Sequence, residues 1–373
     1  MHVSPDALRL NFRRISDSVG PASGVLPMVK ADAYGVGVEG VVACLEPEGP
    51  WGFGVATVGE GMDLRSGGYE GRILVCGPIP LGEIDGALGA DLELSVSSLC
   101  ALHAMVEAAS RTERGPRVHV DVDTGMGRSG FDWRKVNEWL PGLKKVGEEV
   151  TWVGAYTHLH SADADDSVAA EASIRAQWNR FDAVRQRLIA DLGIPLVHVL
   201  NSAGAFRAPA LGNAIVRPGI YLYGGRIGGG QPKPEPVVSL HARVVHVREA
   251  AAGTTLGYGS TYVASSDERW ATLSIGYGDG LPRALGNRGY ALVGDVRVPI
   301  IGRISMDVTV VDITGVPAVV EGDVATLIGT QGAETISLDE VAGLAGTISY
   351  EILTGLTPRL PRVWSDVEEG PSS

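Results

Sequence analysis

Residues 24–37 read Gly-Val-Leu-Pro-Met-Val-Lys-Ala-Asp-Ala-Tyr-Gly-Val-Gly. An apolar run that does not alternate ends in Lys30 and passes at once into a turn punctuated by Gly35 and Gly37. Near-continuous apolarity over so short a run marks a strand covered on both faces, as parallel strands are. Short apolar runs recur at residues 52–56, 73–77, 92–96, 118–123, 153–158, 196–200 and 214–221, several of them apolar nearly throughout, and each closes in polar or glycine-rich residues. Helical spacing fills the intervals. Residues 166–192 carry Ala170, Ile174, Trp178, Phe181, Val184, Leu188 and Ile189 on one stripe, with Gly193 as the stop. Residues 97–109 repeat the pattern with Leu99, Leu102, Met105 and Val106. Eight such units predict an α/β chain folded as a (β/α)8 TIM-like barrel, with an open doubly wound sheet as the alternative.

Beyond the turn-rich linker Gly228-Gly229-Gly230-Gln231-Pro232-Lys233-Pro234 the pattern changes. Residues 237–247, 270–275, 291–298, 307–313 and 323–328 are β-rich, with glycine turns between them. A mainly-β domain therefore follows the barrel. The division expected is 1–232 for the barrel and 233–373 for the β-rich domain, ending in a polar, disordered tail at 368–373. The 373 residues are 45% hydrophobic and 20% charged, values that allow a sizeable core. A net charge of −13 argues against nucleic-acid or anionic-membrane partners. No apolar run is long enough to span a bilayer, and the first residues lack the basic leader and apolar stretch of a signal peptide. A cytoplasmic protein is expected. Cys44, Cys76 and Cys100 match no metal-ligand spacing and read as reduced, buried small hydrophobes. Glycine, at 51 residues, is about twice as frequent as the usual 7%, which predicts many tight turns and close backbone approaches.

In a barrel of this kind chemistry gathers at the C-terminal ends of the strands. The first run delivers Lys30, which either snorkels to solvent or, if partly desolvated, loses its proton readily and forms a Schiff base with a carbonyl cofactor. The fifth delivers Asp121, Asp123 and the loop to Arg128, whose planar fork suits a carboxylate, either a ligand's or one of those aspartates. The sixth ends in His158 and His160, a pair without a third ligand at metal-site spacing, so no metal is expected. The seventh ends in Asn201-Ser202-Ala203-Gly204 and the eighth in Arg217-Pro218-Gly219-Ile220. Ser202 could serve only as a helix cap. With Gly219 nearby, the pair of loops reads better as a phosphate site. Tyrosines stand among glycines at residues 256–262 and 276–280, a setting where most do packing work.

These segments, in this order, resemble the alanine racemases, enzymes of fold type III that use pyridoxal 5′-phosphate. The resemblance runs from Met28 to Arg362. It is carried by Val29-Lys30-Ala31-Asp32-Ala33-Tyr34-Gly35, Asp123-Thr124-Gly125-Met126-Gly127-Arg128, Arg217-Pro218-Gly219-Ile220, Gly276-Tyr277-Gly278-Asp279-Gly280 and Gly302-Arg303-Ile304-Ser305-Met306-Asp307. It implies that Lys30 carries the cofactor and acts as one base, with Tyr258 as the other. Two bases on opposite faces are what removal and return of an α-proton require. It further implies that Tyr34, Ser202, Gly219, Ile220 and Tyr350 hold the phosphate and that Arg217 faces the pyridine nitrogen. His158 would support Arg217 or the Tyr258 network. Arg128 and the Met306 N–H would take the substrate carboxylate, and Asp163, Tyr277, Arg283 and Arg303 would line the entry.

The expected enzyme is a homodimer with shared sites that interconverts L- and D-alanine and supplies D-alanine for the cell wall. Two positions depart from the family pattern. Val36 stands where histidine is usual. Asp121 stands where many members carry a lysine that becomes carbamylated, and so brings its own carboxylate toward Arg128 on a shorter arm. A broader racemase acting on serine or another small amino acid is the nearest rival. A related decarboxylase is a further one, but such enzymes draw a catalytic cysteine from the second domain, and no cysteine lies beyond residue 100.

Overall fold

A computed structural model describes residues 1–112, 114–211 and 214–365, so the tail expected at 368–373 lies outside the described residues. All eight apolar runs overlap barrel strands: Gly24–Val25, Phe53–Val55, Ile73–Val75, Glu93–Val96, Arg117–Asp123, Thr151–Tyr156, Leu196–His198 and Ile215–Val216. The six from Phe53–Val55 to Leu196–His198 form one parallel sheet in chain order. Ile215–Val216 pairs in parallel with Gly24–Val25. Parallel bridges from Met28 to Gly54 and from Asn201 to Arg217 join that pair to the sheet at both edges, so the ring closes. The first strand is short in regular pairing because Pro27 has no N–H to give the ladder.

Helices cover the outside. Asp166 caps Ser167–Leu192 by accepting from the Val168 and Ala169 N–H groups, and Gly193 ends the helix in the left-handed region. Its predicted stripe is nearly right, but Ile189 is exposed and Gln177 takes a buried place instead. The predicted helix at 97–109 is Leu99–Thr112, with Leu102 and Met105 buried. Strand eight is followed by turns. The helix Pro5–Val19, started by the Ser4 cap and Pro5, packs between Val38–Leu45 and Ser202–Arg207 and fills that side of the ring.

The second half forms an antiparallel sheet around the long strand Val238–Ala250, which pairs with Glu268–Leu273 along one part and with Val324–Gln331 along another. The run at 291–298, read as one strand, is a hairpin of Tyr290–Val293 and Val296–Ile301. Gly294 and Asp295 both have positive φ there, the two-residue turn that matches strand twist. His2–Val3 also joins this sheet, antiparallel to Val238–Ala250 and parallel to Val363–Trp364, so the chain's start is tied to the β-rich half. No described helix is long and apolar enough to cross a membrane.

Candidate active site

A cavity of about 130 Å³ opens at the C-terminal mouth of the barrel. Lys30, Tyr34, Arg128, His158, Ser202, Arg217, Gly219 and Tyr350, all singled out from the sequence, line it together. Tyr258 and Met306 are not among its lining residues; they are 71% and 52% exposed on the β-rich half. The Ile220 side chain is buried beneath the turn, where a Cβ on Gly225 would meet it at 2.4 Å. Asp163 also lines the cavity, whereas Tyr277, Arg283 and Arg303 lie exposed on the other half.

Lys30 heads an unusual segment. Ala31, Asp32, Ala33 and Tyr34 all have φ between 51° and 59°, a complete left-handed turn built from residues with side chains. Each such residue costs about 1–2 kcal/mol, so the turn persists only because its surroundings fix it. Glu60 is the main brace: one oxygen accepts from the Ala31 N–H at 2.7 Å, the other from Ala56 and Thr57. Asp32 accepts from the Val38 N–H, and Arg362 donates to the Gly35 carbonyl. Gly35 is needed twice over, for its φ of 79° and because a Cβ would stand 2.3 Å from the Leu353 carbonyl oxygen. The brace leaves the Lys30 amine at the cavity with no hydrogen bond among the described residues. Burial first, and Arg128 second, push its pKa below the ordinary 10.5.

The turn also delivers Tyr34, whose ring stacks on Tyr223 and tilts against Tyr350 at 5.9 Å. A Cβ on Gly219 would lie 2.1 Å from the Tyr34 hydroxyl, so only glycine admits this approach. Ser202 Oγ accepts from the Gly219 N–H at 2.9 Å. Three hydroxyls thus converge on one end of the cavity. At its floor Arg217 is buried: Nη1 donates to His198 Nδ1 and to the His198 carbonyl, and Nη2 donates to the Thr157 carbonyl. Of the two roles expected for His158, direct support of Arg217 falls to His198 instead. His158 still lines the cavity, and burial next to Arg217, Arg128 and Lys30 depresses its pKa to about 3, which keeps it neutral. His160 turns away to Ser161, so the two histidines do not act as a pair.

Asp121 is buried and accepts from Ser97 at 3.1 Å and Ser129 at 2.9 Å, not from Arg128. Burial raises its pKa against the opposing pull of those hydroxyls. Asp123 accepts from the Gly125 and Gly127 N–H groups and shapes their loop. Arg128 therefore makes no hydrogen bond or ion pair among the described residues and remains available to an external carboxylate. Of the cysteines only Cys44 is buried as a whole residue. Cys100 is exposed, and Cys76 lines the cavity with its thiol pKa pushed up to about 11 by burial, which makes it a poor nucleophile. Reading only strand ends missed His198, His119 and Glu93, which lie deeper in the barrel. Their signal was polarity at inward positions of otherwise apolar strands. An amine, a convergent set of hydroxyls and a buried guanidinium suit a phosphorylated aldehyde.

Barrel, β-rich half and cavity together define an α/β-barrel enzyme with a lysine lining the cavity at the barrel mouth. The alanine racemase N-terminal domain family matches residues 3–227 and the alanine racemase C-terminal domain family residues 237–364. The chain is 36% identical over 367 residues to the alanine racemase of Carboxydothermus hydrogenoformans, covering 97% of this chain and 98% of that one. The crystal structure of alanine racemase from E. faecalis superposes with a TM-score of 0.89 at 31% identity, covering 98% and 97%. That of alanine racemase from Bartonella henselae, with covalently bound pyridoxal phosphate, does so at 0.86 and 27%, covering 98% of each. The chain belongs to the alanine racemase family.

Proposed function

We propose that this chain interconverts L- and D-alanine with pyridoxal 5′-phosphate attached at Lys30, in a cytoplasmic homodimer whose sites are shared between chains. The observation that carries the reading is the partner-free Lys30 amine facing three hydroxyls and Arg217 in one cavity. The covalent cofactor of the related Bartonella henselae structure supports the choice of group. When bound, this cofactor delocalises the electron pair left on the amino acid's α-carbon.

The chain's own residues do the rest. Ser202, Tyr34, Tyr350, Gly219 and Ile220 would hold the phosphate. Arg217 would face the ring nitrogen and, as a guanidinium that does not give up its proton, would restrain side reactions. Arg128 and the Met306 N–H orient the substrate carboxylate, and neutral His158 adds no charge beside Lys30. Lys30, its pKa lowered, takes or returns the α-proton on one face, and Tyr258 serves the other. Since Tyr258 is exposed and outside the cavity of its own chain, a second copy is the natural source of that base. On this reading residues 1–232 carry the cofactor and 233–373 supply the second base. The free cysteines suit a reducing compartment, and the product serves as D-alanine for the cell wall. Incubating the purified protein with a panel of L-amino acids, alanine and serine first, tests the activity. Fastest loss of optical activity with alanine is expected, and none with any of them would refute it.

A further inference from the structure

A column of buried polar side chains runs through the barrel from Arg217 to the opposite mouth. His198 Nδ1 lies 2.8 Å from Arg217 Nη1, and His198 Nε2 lies 2.9 Å from His119 Nδ1. His119 Nε2 is in turn 2.9 Å from Glu93 Oε2. Glu93 Oε1 meets Arg72 at 3.2 Å and Arg117 at 3.6 Å, where the strands begin. All three middle members are buried. Room for the column is built in: a Cβ on Gly154 would stand 2.6 Å from His119 Nδ1.

The direction of every bond follows from one end. A guanidinium only donates, so His198 Nδ1 accepts and its proton sits on Nε2. That proton points at His119 Nδ1, which must accept, placing the His119 proton on Nε2, directed at the Glu93 carboxylate. Either opposite tautomer would set two N–H groups, or two lone pairs, face to face in a dry interior. Burial also pushes the pKa of both imidazoles down, against Glu93 at His119.

We propose that Glu93 and His119 are positioning residues for the reaction, fixing through the His198 tautomer the orientation of Arg217 from the far mouth of the barrel. The proposal rests on the reading of Arg217 as the residue that faces the cofactor's ring.

Imidazole nitrogen-15 spectra of the wild-type holoenzyme, assigned with His198→Gln and His119→Gln, test the direction. Both rings should be neutral with the proton on Nε2 and should not titrate across about pH 5 to 8. A proton on His198 Nδ1, or titration in that range, overturns the proposal. Glu93→Gln keeps an acceptor oxygen and should retain both tautomers. Glu93→Leu leaves the His119 Nε2 proton without an acceptor, and the two rings can reverse only as Arg217 turns from His198 Nδ1. His198 should then populate the Nδ1–H form, the bound cofactor's absorption band should shift, and kcat should fall about tenfold with KM little changed. A folded Glu93→Leu protein with tautomers and band unmoved would contradict the positioning role. If the column behaves as stated but Arg217→Lys leaves the absorption band unmoved, the placement of Arg217 fails while the column's direction stands.

Discussion

At Lys30 burial and a cationic neighbour act in the same direction, since both disfavour the charged amine. Attachment of pyridoxal phosphate to the cofactor-free protein should therefore speed up with pH around a midpoint below 10.5. Borohydride should fix the cofactor to the peptide containing Lys30, and label on another peptide would refute the assignment. Asp121 is the opposite case, a carboxyl whose pKa burial raises. Its folded form holds the proton more tightly than the unfolded chain does, so its contribution to stability is fully present below pH 3.8. That contribution is lost as pH rises through the raised value. Asp121→Asn keeps an acceptor for Ser97 and Ser129 without the charge. Thermal melts at several pH values should show the variant gaining on the wild type as pH increases across that window. A constant difference would mean that Asp121 is not perturbed. Because Asp121 and not a lysine stands at this position, no carbamate can form there, and activity should also be indifferent to bicarbonate.

The elements were unevenly legible. Every barrel strand announced itself by a short, largely apolar run, as strands covered on both faces do, although His119 and Asp121 interrupt the fifth. The hairpin at Gly294 and Asp295 was hidden inside one such run, since a two-residue turn barely interrupts the apolar pattern. Lys30 stood out by position, but the left-handed turn behind it did not. Nothing about Ala31 or Ala33 hints at positive φ, which is imposed by the turn's own Asp32 and, from elsewhere in the chain, by Glu60 and Arg362. The partners of Arg217 were likewise out of reach, for His198 meets it only when strands seven and eight lie side by side. The turn is testable as a unit. Gly35→Ala adds a strained φ and a clash with the Leu353 carbonyl, and should cost about 2 kcal/mol or more in a denaturant titration. It should also weaken cofactor binding by displacing Tyr34. An unchanged midpoint would show that the turn is not held as described.

Over the whole molecule the sequence motifs divide between two places. Those of the barrel meet in the cavity, while Tyr258, Tyr277 and Met306 stay exposed on the β-rich half of the same chain. A two-fold dimer would complete both sites reciprocally, since what one chain offers the other lacks. Lys30→Ala and Tyr258→Phe enzymes should each be nearly inactive, because every site misses one base. After the two are mixed and their subunits exchanged, random pairing makes half the dimers mixed, and half the sites in those are intact. Racemisation of alanine should then return to about a quarter of the wild-type rate. No recovery, with subunit exchange verified by native mass spectrometry, would contradict a site shared between chains.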